Sequence, residues 1–134
     1  MSTSTPKSER YLVGAAKFEE IIGFAPPERG PDFLRLTLEG LFADVWAREG
    51  LPRRDRRLLT LTVLLLAGKE DSVALHLRQA LVSGDLSKKE VEEVMIHLAY
   101  YAGWPVGQLG FDVAMKVFAE LRAEEKAKAA SETK

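Results

Sequence analysis

Apolar and polar residues alternate along most of this chain at three- and four-residue spacing, the repeat of helices that bury one face. A first helix is expected over Glu9 to Ile22, ending at Gly23, a residue suited to a left-handed cap. The following FAPPERGP stretch holds three prolines and a glycine in eight residues and reads as a loop. Asp32 is placed to cap the next helix. Phe33, Leu36, Thr37, Gly40, Leu41, Asp44 and Val45 share one face of an amphipathic helix over Asp32 to Arg48. Gly50 ends it, and Pro52 suits the first turn of its successor.

Arg53 to Gly68 opens with five charged residues and becomes LLTLTVLLLA. Periodicity does not separate a buried helix from a buried strand there. Length and the lack of turn residues favour helix, while Val63 and the two threonines oppose it mildly. The segment reads as a helix buried on nearly all sides, which other helices or subunits must wrap. Asp71 or Ser72 is placed to cap a helix that runs to Ser83 and stops at Gly84. Ser87-Lys-Lys-Glu90, ahead of VEEVMIHLAYYAG, is a capping box. Gly103 and Pro105 close that helix. A last one runs from about Val106 to Ala127, with Leu109, Val113, Val117 and Leu121 on its apolar face. The pattern predicts an all-α fold of about six helices. It places a disordered tail over 1–8, a single domain over 9–127 and a second disordered tail over 128–134.

Composition narrows the classes. A chain of 134 residues suits one domain, and one this small buries only about two-thirds of its unfolded surface. The long apolar central helix therefore points to self-association rather than to a monomeric bundle. The formal charge of −1 gives no basic face for nucleic acid. Cysteine is absent, which excludes disulfides and thiol redox chemistry. The polar N-terminus lacks a signal-peptide core, and Leu58 to Ala67 is about half a membrane span. A soluble, cytoplasmic protein with no nucleic-acid or membrane partner is expected.

The sequence has no metal-binding motif, no glycine-rich phosphate loop and no GxSxG elbow. His76 lies between Leu75 and Leu77 with Ser72 and Ala80 on its face. It is either a partly buried structural histidine or a general acid/base near neutral pH that also attracts a carboxylate. Glu93, His97 and Tyr101 form one stripe of four-residue steps. That stripe is either a packing contact or a tuned proton shuttle in which Glu93 orients His97. Most of the Arg53, Arg54, Arg56 and Arg57 cluster reads as solvated charge. Arg57 differs, because it shares a face with Leu61 and Leu65. A half-buried arginine needs an anion, either a glutamate or a substrate carboxylate. Trp46, Trp104, Tyr100 and Tyr101 stand near helix ends as packing or pocket residues.

Taken together, DVWAREGLPRRDRRLLTLTVLLLAG (44–68) and LHLRQALVSGDLSKKEVEEVMIHLAYYAGWPVGQLGF (75–111) resemble the carboxymuconolactone decarboxylase family over about residues 30 to 120. Trp46, Arg48, Gly50, Arg57, His76 and Tyr101 match its pattern. The resemblance implies an AhpD-like helical bundle that assembles as trimers or hexamers. The thiol-peroxidase branch of that family carries CxxC where this chain has Lys69 and Ser72, so that mechanism is excluded. The decarboxylase branch implies cofactor-free loss of carbon dioxide from a small anionic lactone acid by general acid/base chemistry. His76, with Tyr101 and His97, would be catalytic; Arg57, Arg48, Trp46 and Trp104 would bind substrate. Ser72 and Asp71 replace an acidic residue and a histidine common in that branch, and Trp104 is bulky there. A non-catalytic oligomeric scaffold or small-molecule-binding protein of the same fold is the alternative.

Overall fold

A computed structural model describes residues 6–133, and every regular element among them is helical. The elements are α1 (Glu9–Ile22), α2 (Asp32–Leu36) with a π-helical continuation (Thr37–Trp46), α3 (Arg53–Leu66), α4 (Glu70–Ser83), α5 (Lys88–Ala102) and α6 (Trp104–Glu132). Contacts divide the chain into two units, one reaching to Arg53 and one starting at Arg54. The sequence suggested a single domain over 9–127. Residues 1–5 and 134 of the expected tails lie outside the described residues.

In the first unit, the Ser8 hydroxyl accepts from the Tyr11 N–H and starts α1. Gly23, at φ 101°, ends it, and its N–H bonds the Glu19 carbonyl. Ile21, Leu38, Phe42 and Trp46 form the buried cluster. Phe18 meets Phe42 edge-on, with ring centroids 5.0 Å apart. Gly14 allows α1 to approach this closely, since a Cβ there would fall 1.8 Å from the Leu38 carbonyl oxygen. Arg53 closes the unit with an ion pair to Glu20 at 2.7 Å.

Two expectations change in this unit. Asp32 does not cap; it sits in the first turn of α2 and pairs with Arg35 at 2.8 Å, while Pro31 holds the cap position. The face marked by Phe33, Leu36, Leu41 and Val45 is exposed, Phe33 by 80%. Ten residues from Thr37 adopt the wider i→i+5 turn. That turn aligns Leu38, Phe42 and Trp46, four residues apart, toward α1. Both faces are apolar, so periodicity alone chose the wrong one.

In the second unit, α3 buries one stripe, Arg57, Leu61 and Leu65. Its opposite side is open in the single chain: Leu59, Val63 and Leu66 are exposed, so the expected burial on nearly all sides would require another subunit to wrap it. The main core joins Leu61 and Leu65 to Val73, Leu77 and Ala80 of α4, Val91, Met95 and Leu98 of α5, and Val113, Ala114 and Val117 of α6. Lys69 occupies the cap position of α4, and Asp71 and Ser72 lie within its first turn. The capping box at Ser87 is present in both directions: Glu90 N–H to Ser87 Oγ at 3.1 Å, and Ser87 N–H to Glu90 Oε1 at 3.0 Å. Helix α6 starts two residues before Val106, with Pro105 tolerated in its first turn, and continues past Ala127 to Glu132.

Candidate functional site

Three residues from three parts of the second unit meet in its interior. Arg57 is the second-turn residue of α3 that falls in register with Leu61 and Leu65, and it is 0% exposed. His76 stands midway along α4 on the face that also buries Val73, Leu77 and Ala80, and it is 8% exposed. Asp85 follows the left-handed Gly84 (φ 82°) that ends α4. Next to it Leu86 is buried, and its N–H bonds the Ala80 carbonyl at 3.1 Å, so the turn is pinned on both sides of Asp85.

Arg57 Nη1 lies 3.0 Å from His76 Nδ1, and Nη2 donates to Asp85 Oδ2 at 3.3 Å. The Asp85 carboxylate is itself nearly buried. A buried guanidinium needs a buried anion, and Asp85 supplies one. Burial, followed by the neighbouring Arg57 charge, pushes His76 down from its ordinary 6.5 to about 4. The ring is therefore neutral at physiological pH. Two other arginines of the cluster serve different ends: Arg54 pairs with Glu90 of the capping box, and Arg53 with Glu20.

His97 and Tyr101 stack with ring centroids 4.8 Å apart and 23° between their planes. Tyr101 is 82% exposed. His97 and Glu93 line a groove of about 440 Å³ together with Leu58, Val94 and Leu98. Trp104 stands edge-on to Tyr100 at 6.3 Å and borders a separate apolar groove of about 250 Å³ between α5 and α6. Trp46 is buried in the first unit's core, and Arg48 follows it on that unit's surface. The second unit thus brings together His76 and Arg57, and separately His97 and Tyr101. Asp85 was not foreseen. The signal for it was indirect: a buried arginine implies an anion, and Asp85 is the acidic residue at the tight end of the histidine's own helix. No group of three or more metal-ligating side chains is present among the described residues.

Comparison with known proteins gives a consistent picture. The profile of the carboxymuconolactone decarboxylase family matches residues 31–116. The chain is 33% identical over 121 residues to 4-carboxymuconolactone decarboxylase of Acinetobacter baylyi, covering 84% of this chain and 90% of that protein. It is 31% identical over 99 residues to the nitrosuccinic acid decarboxylase of Metarhizium robertsii, covering 74% and 68%. An uncharacterized 15.0 kDa protein of Paracoccus denitrificans is 33% identical over 85 residues, covering 62% and 63%.

Proposed function

Because the chain belongs to the carboxymuconolactone decarboxylase family, we propose that it is a cofactor-free carboxy-lyase acting on a small lactone acid of the carboxymuconolactone type. The observation that carries this reading is the buried Arg57–His76 contact at 3.0 Å, at two positions matching the family pattern. Two of the three relatives named above are decarboxylases acting on different acids, which supports the reaction class more than any one substrate.

The chemistry asks little of the protein. The bond between carbon and the departing carboxylate breaks, and carbon dioxide leaves without its bonding electron pair. That pair delocalises through the ring into the lactone carbonyl, and carbon then takes a proton from water. Acceleration comes from groups that stabilise the oxygen on which charge develops more than they stabilise the starting carboxylate. Arg57, its charge balanced by Asp85, is the substrate-binding cation of this reading, and the His76 ring lies beside it. Tyr101, His97 and Trp104, elsewhere in the second unit, would supply further polar and aromatic contacts to substrate in this reading. Self-association belongs to the same reading: Leu59, Val63 and Leu66 give α3 an open apolar side that a second copy would cover.

The test is carbon dioxide release from 4-carboxymuconolactone by the purified protein, beside calorimetric binding of the same acid. Release that falls with His76→Ala, together with weaker binding, supports the reading. No release from any muconolactone-type acid, with binding indifferent to His76→Ala, overturns it. The burial of His76 and Arg57 favours a second reading, a non-catalytic binding or scaffold protein. That reading predicts the latter outcome.

A further inference from the structure

We infer that two surfaces of the second unit are the complementary halves of one interface between copies of this chain. The open strip of α3 seats in the groove between α5 and α6 of the next copy, with the start of α3 at the groove's acidic end. The inference rests on the self-association named above and not on the reaction.

The two surfaces match in form. Leu59, Val63 and Leu66 follow one another on α3 at steps of four and three, and each is more than half exposed. That spacing is the one by which a helix anchors itself in an apolar groove. The second unit has such a groove, of about 250 Å³, and Ile96 and Ala99 of α5 line it with Gly107 and Phe111 of α6. Ile96 and Phe111 are exposed in the single chain. The lengths agree as well: α3 rises about 15 Å from Arg56 to Leu66, and α5 rises about 12 Å from Glu92 to Tyr100. A helix edge is convex and the groove is concave, so the strip fits the groove better than it fits its own copy.

They also match in charge, and charge sets the direction. Helices α5 and α6 run antiparallel, with Trp104 against Tyr100 at one end and Gly110 against Met95 further along. Glu92 lines the groove beyond Met95 and is exposed. Asp112, which accepts from Gln108 Nε2 at 2.9 Å, adds a second carboxylate on α6. The groove is therefore acidic toward the start of α5 and aromatic toward its end. The α3 strip has the opposite sign at its start. Arg56 stands three residues before Leu59 on the same side of the helix, and the N-terminal end of the helix dipole adds positive charge. With α3 laid parallel to α5, these positive groups approach Glu92 and Asp112 while Val63 meets Ile96 and Phe111. The reverse direction sets both carboxylates against Leu66 and leaves them without a cation.

Strip and groove are different surfaces, so the contact is head-to-tail. It passes from each copy to the next and does not close with two. Sedimentation of purified variants tests this without any substrate. Wild type is expected to assemble beyond two chains; a wild type that stops at one or two overturns the inference. Val63→Glu breaks only the strip and Ile96→Glu only the groove. Both positions are exposed and helical, and glutamate is a good helix former, so both variants are expected to fold. Each alone is expected as a single chain, and either one assembling as wild type does overturns the inference. Mixed in equal amounts, the two should form a two-chain complex, because one keeps an intact groove and the other an intact strip. A mixture that stays monomeric overturns the head-to-tail pairing. Circular dichroism checks the fold, and Leu59→Glu with Phe111→Lys provides a second pair if either variant unfolds. Glu92→Lys is expected to weaken the assembly about tenfold or more, and an unchanged dissociation constant overturns the direction assigned to α3. A monomeric wild type that releases carbon dioxide defeats this inference alone. An assembled wild type that passes the mixing test and releases none defeats the decarboxylase reading alone.

Discussion

The neutral state of His76 has a consequence for folding that can be measured without any substrate. His76→Gln replaces the ring by a side chain that does not titrate. In the wild type, burial and the Arg57 charge hold the folded-state pKa at about 4, against an ordinary 6.5. As pH falls below 6.5, the unfolded chain takes up a proton on this histidine and the folded chain does not, so the unfolded state gains. The stabilisation is complete above pH 6.5, is lost progressively as pH falls toward 4, and stays lost below that. By about pH 4.5 the loss amounts to roughly 2–3 kcal/mol. His76→Gln lacks this contribution but shares every other titration. Urea unfolding followed by circular dichroism, at about pH 7.5 and about pH 4.5, should show the wild type losing roughly 2–3 kcal/mol more than the variant. Equal losses in the two proteins would mean that His76 titrates normally and that its contact with Arg57 does not exclude the proton.

Other substitutions test the frame around the site. Arg57→Met removes the group bonded by both His76 and Asp85 and should destabilise by about 3 kcal/mol or more, measured by the same urea titration. Ser87→Ala deletes one half of the α5 capping box and should cost about 1 kcal/mol in chemical denaturation. Gly107→Ala would place a Cβ 2.5 Å from that of Ala99 and 2.9 Å from the Met95 carbonyl oxygen, forcing α5 and α6 apart. A loss of about 1–3 kcal/mol and a lower melting temperature are expected. Gly40→Ala, where a Cβ meets nothing within 4 Å, serves as a control and should not destabilise.

Local chemistry made much of the fold legible. The bounds of α1, the capping box at Ser87 and the stop at Gly84 each follow from one or two residues acting on neighbouring backbone, and all three appear as expected. Arg57 was legible as a buried cation because its offsets from Leu61 and Leu65 are whole helical steps. Features decided by tertiary packing were not legible. The segment from Asp32 to Trp46 is apolar on two sides, and contact with α1 through Gly14 selects Leu38, Phe42 and Trp46. The tail of α6 reads as frayed because its residues are charged and small. They are also good helix formers, and the helix continues on an exposed, polar surface. Asp85 was hidden for another reason: sequence spacing reports which residues share a helix, not which turn lies across from an arginine. The state of His76 was hidden likewise, since its neutrality is imposed by tertiary burial and then by the charge of Arg57, a residue on a different helix.

The lactone acid itself tests whether this protein is a carboxy-lyase. Incubation of the purified protein with 4-carboxymuconolactone in heavy water, followed by proton NMR and carbon dioxide trapping, measures bond cleavage and proton uptake together. The account predicts one carbon dioxide for each lactone consumed, with one solvent deuterium on the product's carbon framework, and suppression of both in His76→Ala. Unchanged lactone, with carbon dioxide no higher than in buffer alone, would contradict it.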